Sequence, residues 1–265
     1  MITLKREKDL IPMRKAGKIV ADVLDMIREM VRPGISTADI DSAAEALIIK
    51  AGATPAFKGY KVPGIPVPFP GAVCTSVNDE VVHGIPSPDR ILHEGDIVSV
   101  DVGSCYSGYY GDAASTFPVG HIDRKTMKLL DVTRESLDLA IAVALPGKTL
   151  GDVGHAVESF VTPHGFGIVR EYAGHGIGKH LHEPPQILNY GQPGHGMILK
   201  GGLTLAIEPM VMAGAEEVVV GPDRWVVKTA DGSKAAHFEK TVFLRDGQAE
   251  ILTPWSGVRT TRRTL

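Results

Sequence analysis

The chain has 265 residues, a formal net charge of −3 and a sequence pI near 6.4, a balance without the footprint of a nucleic-acid or anionic-membrane binder. No apolar run approaches the roughly 20 residues of a membrane span, and MITLKREKDL lacks the apolar core of a secretory signal. Cys74 and Cys105 form neither a disulfide framework nor a metal-spaced pair, so the expected setting is a reducing cytoplasm and the expected build is one large domain.

Met13, Ala16, Val20, Val23, Ile27 and Met30 follow helical spacing and predict a first helix that begins almost at Met1, runs to about Val31 and stops before Pro33-Gly34. Ser36 or Thr37 caps a second helix. The stretch from Lys58 to Gly71 is rich in Gly and Pro and predicts an irregular loop. In GDIVSVDVG, Ile97, Val98, Val100 and Val102 mark a strand that Asp101 interrupts. Gly103, Gly108 and Gly111 then predict a hairpin with Asp101 on one arm and Asp112 on the other. Thr149 is the expected cap of a later helix. His83 lies in VNDEVVHGIP, and AGHGIGKHLHEPP carries His175 and His182 among glycines that cannot support a regular helix. GLTLAIEPM repeats the interrupted-strand pattern with Glu208, and Glu239 follows in HFEKTVF. The tail, 256–265, is polar and basic and predicts a flexible end.

Two stretches echo each other. PGISTADI from Pro33 and PGKTLGDV from Pro146 share Pro-Gly, a hydroxyl residue and an Asp at matching places. The same offset pairs Ala43 with Ala156, Glu45 with Glu158 and Gly52 with Gly165, and Gly95 to Asp101 resembles Gly202 to Glu208. We read a duplicated unit, with halves of about 1–120 and 121–255 forming a single catalytic domain. Asp101 and Glu208 would be symmetry mates, as would Asp112 and Glu239 in the strands that follow them.

No Lys or Arg lies between Ile91 and Asp123, or between Gly201 and Asp223. An uncompensated buried carboxylate costs roughly several kcal/mol and a domain is stable by only about 5 to 15 kcal/mol, so the acids need cations. Four carboxylates and one imidazole, from Asp101, Asp112, His175, Glu208 and Glu239, suit two ions of Co, Mn, Fe, Ni or Zn. Such a pair lowers the pKa of a bound water toward about 7 and supports hydrolysis near neutral pH. No phosphate loop, G-x-S-x-G elbow or H-E-x-x-H motif competes.

The segments CTSVNDEVVHGIP, GDIVSVDV, GDAASTF, REYAGHGIG, LHEPPQ, AIEPM and HFEKTVF stand in an order that resembles the type I methionine aminopeptidases over essentially the whole chain. The resemblance implies an α+β pita-bread fold with an antiparallel sheet core and helices on its outer face. It implies removal of the N-terminal methionine from nascent polypeptides whose second residue is small. Asp101, Asp112, His175, Glu208 and Glu239 would hold the metals, with Glu208 also the general base. His83 and His182 would contact the amide nitrogen and the carbonyl oxygen. Tyr60, Phe69, Cys74, Leu181 and Trp225 would form the methionine pocket, with a longer loop between Tyr60 and Phe69 and an aliphatic Leu181 where the family has an aromatic. The resemblance reaches neither a zinc-binding N-terminal extension nor a helical insertion, and it favours a monomer with transient ribosome association. Alternatives on the same fold are an Xaa-Pro aminopeptidase and a non-catalytic pita-bread binding protein.

Overall fold

The computed structural model describes residues 2–255; the tail expected to be flexible, 256–265, lies outside the described residues. Helix α1 (Glu7–Met30) buries Leu10, Met13, Ala16, Val20, Val23 and Ile27 along one stripe, as their spacing predicts. It begins later than expected, because residues 2–6 are not helical and the cap residue Arg6 is extended. The Lys5 backbone N–H donates to the Gly202 carbonyl at 2.7 Å, and its ammonium reaches Glu183 at 2.5 Å. These distant contacts hold the segment out of the helix.

Helix α2 (Thr37–Lys50) is capped by Ser36, whose hydroxyl accepts from the Asp39 N–H at 3.1 Å while the Asp39 carboxylate accepts from the Ser36 N–H at 2.9 Å. Thr37, the other candidate, is the first helical residue, and its hydroxyl donates to the Ser87 carbonyl. Helices α3 (Arg124–Val143) and α4 (Leu150–Val161) follow. Thr149 caps α4 through the same reciprocal pair with Asp152, at 3.2 and 2.7 Å. The matched segments agree in backbone too. Gly34 and Gly147 have φ of 90° and 92°, and Gly95 and Gly202 have 88° and 93°, a left-handed region that favours glycine. Ser36 bridges Ile91 as Thr149 bridges Ile198.

Residues before α3 supply β1 (Thr54–Pro55), β2 (Val73–Val77), β3 (Glu80–Val82), β4 (Ile97–Tyr106) and β5 (Tyr109–Pro118). Lys58 to Gly71 is irregular, as its Pro and Gly content predicts. After α4 come β6 (Gly167–Ile168), β7 (Gly174–Gly176), β8 (Glu183–Ile187), β9 (Thr204–Ile207) and β10 (Met210–Met212). The chain continues with β11 (Val218–Val220), β12 (Val227–Thr229), β13 (Ala235–His237), β14 (Lys240–Arg245) and β15 (Gln248–Ile251). Strand β4 pairs with β5, β2 and β1; the other sheets run β15-β14-β9-β7-β8, β13-β10-β6 and β11-β12-β3. The ladders are antiparallel. Contrary to the expectation that Glu239 lies in the strand directly after that of Glu208, β10, β11, β12 and β13 intervene.

Helices α1 and α3 pack on the sheets, and one apolar core joins Val20, Leu24 and Ile27 of α1 to Leu137 of α3, Val157 of α4, Val100 of β4 and Leu205 of β9. The α1–β5 approach is close enough that a Cβ on Gly111 would lie 2.7 Å from the Gly17 nitrogen. Strands β5 and β13–β14 meet at a seam between the two segments. The Glu239 N–H donates to the Ala114 carbonyl at 3.0 Å. On one side of that bond Thr241 Oγ1 accepts from the Asp112 N–H at 3.1 Å and donates to its carbonyl at 2.7 Å. On the other, Thr116 Oγ1 accepts from the His237 N–H and donates to its carbonyl, both at 2.9 Å.

Candidate active site and metal centre

Each acid sits where the fold opens a strand surface. Asp101 on β4 and Asp112 on β5 are diagonal neighbours across the hairpin, because Asp101 registers with Ala114 and Gly103 with Asp112. Glu208 and Glu239 occupy breaks. The register that pairs Ile207 with Lys240 also pairs Met210 with His237, and the ladder is interrupted between those pairs, where Pro209 has no N–H to give. The Glu208 carbonyl accepts instead from Asn189 at 2.9 Å. His175 projects from β7 between two glycines that the packing requires. A Cβ at Gly174 would lie 2.4 Å from the Ala206 carbonyl oxygen, and one at Gly176 2.4 Å from that of Pro184.

The tertiary fold brings the expected cluster together. His175 Nδ1 lies 2.9 Å from the Gly176 carbonyl; a carbonyl can only accept, so Nδ1 carries the proton and Nε2 presents its lone pair. That Nε2 stands 3.8 Å from Asp112 Oδ2 and 3.7 Å from Glu208 Oε1. Asp112, His175 and Glu239 form one potential metal-binding triad, and Glu208, His237 and Glu239 a second. Asp101 stands outside both triads, with its carboxyl against that of Asp112. His237 was not among the residues singled out from sequence. Its signal was there, a ligand-grade side chain interrupting the buried run from Ala235 to Phe238, two residues before Glu239 and so on the same strand face.

Among the described residues, the ion-pair partners of Asp112, Glu208 and Glu239 are His175 and His237 alone. Burial pushes all four carboxyls up. Asp101 rises to about 7, and Asp112, Glu208 and Glu239 are held well above the ordinary carboxylate value by burial first and by repulsion from their acidic neighbours second. Burial drives the imidazoles the other way, His175 and His237 to about 3 and His83 to about 4. Asp101 Oδ1, Asp112 Oδ1, Glu239 Oε1 and His237 Nε2 are buried without a hydrogen-bond partner. Spacings of 3.6 to 3.9 Å between imidazole nitrogen and carboxylate oxygen are too long for hydrogen bonds. They match the roughly 3 to 4 Å between two donors on one ion with bonds of about 2.0 to 2.2 Å. The donor set fits a divalent metal.

A cavity of about 190 Å³ opens on this cluster. All twelve candidate residues line it: the four acids and His175, together with His83, His182, Tyr60, Phe69, Cys74, Leu181 and Trp225. Phe57, Val82, Tyr172, Ala173, Met210 and His237 complete the wall and were not foreseen. Phe69 stacks edge-on against Trp225 at 5.3 Å, whose indole N–H donates to the Val67 carbonyl at 2.9 Å. The long loop thus supplies a wall. Tyr60 Oη stands 2.6 Å from Nδ1 of His182, which is exposed at the mouth, and His83 packs edge-on against Tyr172 and Trp225. His83 itself has φ of 60°, a costly backbone state for a residue with a Cβ.

Residues 12–246 match the model of metallopeptidase family M24. A methionine aminopeptidase of Clostridium acetobutylicum is 48% identical over 253 residues, 96% of this chain and 99% of its own. Methionine aminopeptidase 1 of Bacillus subtilis is 47% identical over the same shares. The crystal structure of methionine aminopeptidase from Thermotoga maritima superposes with a TM-score of 0.92 at 47% identity, covering 96% of this chain and 99% of that one. Prolidase from Pyrococcus furiosus, at 23% identity and a TM-score of 0.74 over 94% of this chain and 65% of its own, shares the fold alone. The architecture is the α+β pita-bread fold, and the chain belongs to metallopeptidase family M24, among its type I methionine aminopeptidases.

Proposed function

We propose that this chain is a metal-dependent aminopeptidase that releases the N-terminal methionine of nascent polypeptides when the second residue is small. The observation that carries this reading is the union, in one cavity, of the acid and imidazole cluster with an apolar chamber walled by Phe57, Phe69, Cys74, Leu181 and Trp225. An unbranched thioether needs such a chamber, and its volume is below the roughly 300 to 1,000 Å³ of sites for drug-sized ligands. The acids at its floor attract a free α-amino group, which makes the site selective for a chain end.

Two divalent ions, drawn from Co, Mn, Fe, Ni or Zn and held by Asp101, Asp112, His175, Glu208 and Glu239, would supply a water nucleophile near pH 7 and positive charge for the developing oxyanion. Glu208 takes the proton from the attacking water. Oxygen adds to the scissile carbonyl carbon, the C–N bond breaks, and the amine leaves as the new N-terminus after gaining a proton. His83 faces the amide nitrogen and His182 the carbonyl oxygen. Burial holds His83 neutral at pH 7, so its ring N–H donates without adding a charge to the site.

The paired caps, positive-φ glycines and bridges support reading 1–120 and 121–255 as copies of one unit that together form a single catalytic domain. Among the described residues no helix is long and apolar enough to cross a membrane. A cytoplasmic monomer that docks transiently at the ribosome, where new N-termini emerge, completes the proposal. Mass spectrometry of the metal-reconstituted protein acting on Met-Ala-Ser and Ala-Pro peptides tests it. Methionine release is expected, and cleavage confined to the bond before proline would transfer the chain to the Xaa-Pro peptidases.

A further inference from the structure

Resting on that metal centre, we infer that His237 is a sixth protein ligand, its Nε2 completing the shell of the ion held by Glu208 and Glu239. Nε2 stands 3.6 Å from Glu208 Oε2 and 3.9 Å from Glu239 Oε2. Both spacings exceed hydrogen-bond length and suit donors that converge on a shared ion. The side chain is 2% exposed, and Nε2 has no hydrogen-bond partner, an arrangement that costs free energy unless something in the cavity takes up the lone pair.

The ring is also held in place. Both backbone polar groups of His237 are tied to the single hydroxyl of Thr116 on β5, which receives a further contact from Ser99 Oγ at 2.8 Å. Moving the His237 backbone would break two buried hydrogen bonds across the seam, and at 2% exposure the packed walls leave the ring little room to turn. The Met210↔His237 pairing fixes the neighbouring strand as well. His237 therefore reaches its position by the same logic as Asp112, whose backbone is clamped by Thr241 at the other end of the seam.

The consequence is chemical. His175 Nε2 stands within 3.8 Å of both Asp112 and Glu208, so with His175 as the only imidazole the centre has a single nitrogen donor among its carboxylates. With His237 each triad has one imidazole, Asp112–His175–Glu239 and Glu208–His237–Glu239. A neutral nitrogen donor in place of a water leaves the net charge unchanged and shifts preference from Mn toward Co, Ni and Zn.

Proton NMR of the cobalt-loaded protein in water tests this, because each cobalt-bound imidazole contributes a hyperfine-shifted ring N–H resonance. Histidine labelled with ¹⁵N in the ring makes the count possible in the unsubstituted protein, with no variant that has to fold. Two shifted imidazole N–H signals are expected at full cobalt loading. One of them is lost in His237→Gln, together with at least about a tenfold weakening of one cobalt-binding step in calorimetry. A single shifted imidazole in the unsubstituted protein, or two that both persist in the variant, would overturn the role of His237 while leaving the metal centre standing. Absence of cobalt binding would overturn the metal centre itself.

Discussion

Glu208 and Glu239 face each other in one antiparallel register, at the point where its ladder is interrupted between Ile207↔Lys240 and Met210↔His237. A broken ladder leaves backbone groups to be satisfied elsewhere, and Asn189 and Trp255 do so for the two carbonyls, at 2.9 and 3.3 Å. The acids gain room for something between them that a continuous sheet would have closed.

Removing one acid should therefore remove the ion rather than merely slow the reaction. Asp112→Asn and Glu239→Gln are each expected to lower turnover by more than about 10³-fold, with bound metal falling in parallel by elemental analysis. His182→Ala should keep its metal and lose about 10²- to 10⁴-fold in rate. Metal loss in that variant would show that His182 belongs to the ion's shell.

Stability should depend on pH in opposite directions with and without metal. Burial holds the four carboxyls above their unfolded values of about 4, Asp101 at about 7. Below about pH 6.5 the buried imidazoles of His83, His175 and His237, held neutral in the fold, offset the carboxyls; above it the imidazoles are neutral in both states, the folded metal-free protein binds more protons than the unfolded chain, and its stability falls as pH rises. The loss is on the order of 1.4 kcal/mol for each unit by which a carboxyl is displaced. Saturating divalent metal requires the deprotonated acids and should reverse the trend. Urea titrations of chelator-treated and metal-loaded protein at pH 6.5 and pH 8.5 read both slopes, and a flat metal-free profile there would contradict the buried-acid account.

The contact of 2.6 Å between Tyr60 Oη and His182 Nδ1 orients the imidazole at the mouth. Burial first and Asp112 second raise the Tyr60 phenol, which keeps it protonated at pH 7. Tyr60→Phe should lower kcat by about fivefold, the worth of one hydrogen bond near 1 kcal/mol, with metal content unchanged. An unaltered kcat would assign Tyr60 to packing only.

The two threonine clamps should carry both stability and metal affinity. Thr116→Val or Thr241→Val keeps the shape but strips a buried backbone N–H and C=O of their partner. Each is expected to cost about 2 to 4 kcal/mol, or a fall in melting temperature of roughly 4 to 16 °C for a domain of this size. Calorimetry checks this, and a shift below about 2 °C would mean that water replaces the hydroxyl.

Local chemistry made much of this molecule legible in advance. The caps at Ser36 and Thr149, the irregular stretch from Lys58 to Gly71 and the Asp101–Asp112 hairpin depend on residues within a few positions of one another, where propensity and turn chemistry act directly. The acids were legible for a different reason, since a carboxylate set in an apolar run without a basic neighbour demands a partner. What the tertiary structure decided lies between residues far apart in the chain. The late start of α1 follows from Lys5 meeting Gly202 and Glu183, and the breaks at Glu208 and Glu239 follow from how β9–β10 and β13–β14 align. Thr116 with His237, Thr241 with Asp112, and Tyr60 with His182 are each more than a hundred residues apart. Closing such loops has a chain-entropy cost that only the whole core offsets, so no local pattern marks which threonine will hold which backbone, or that His237 will turn its Nε2 toward the acids.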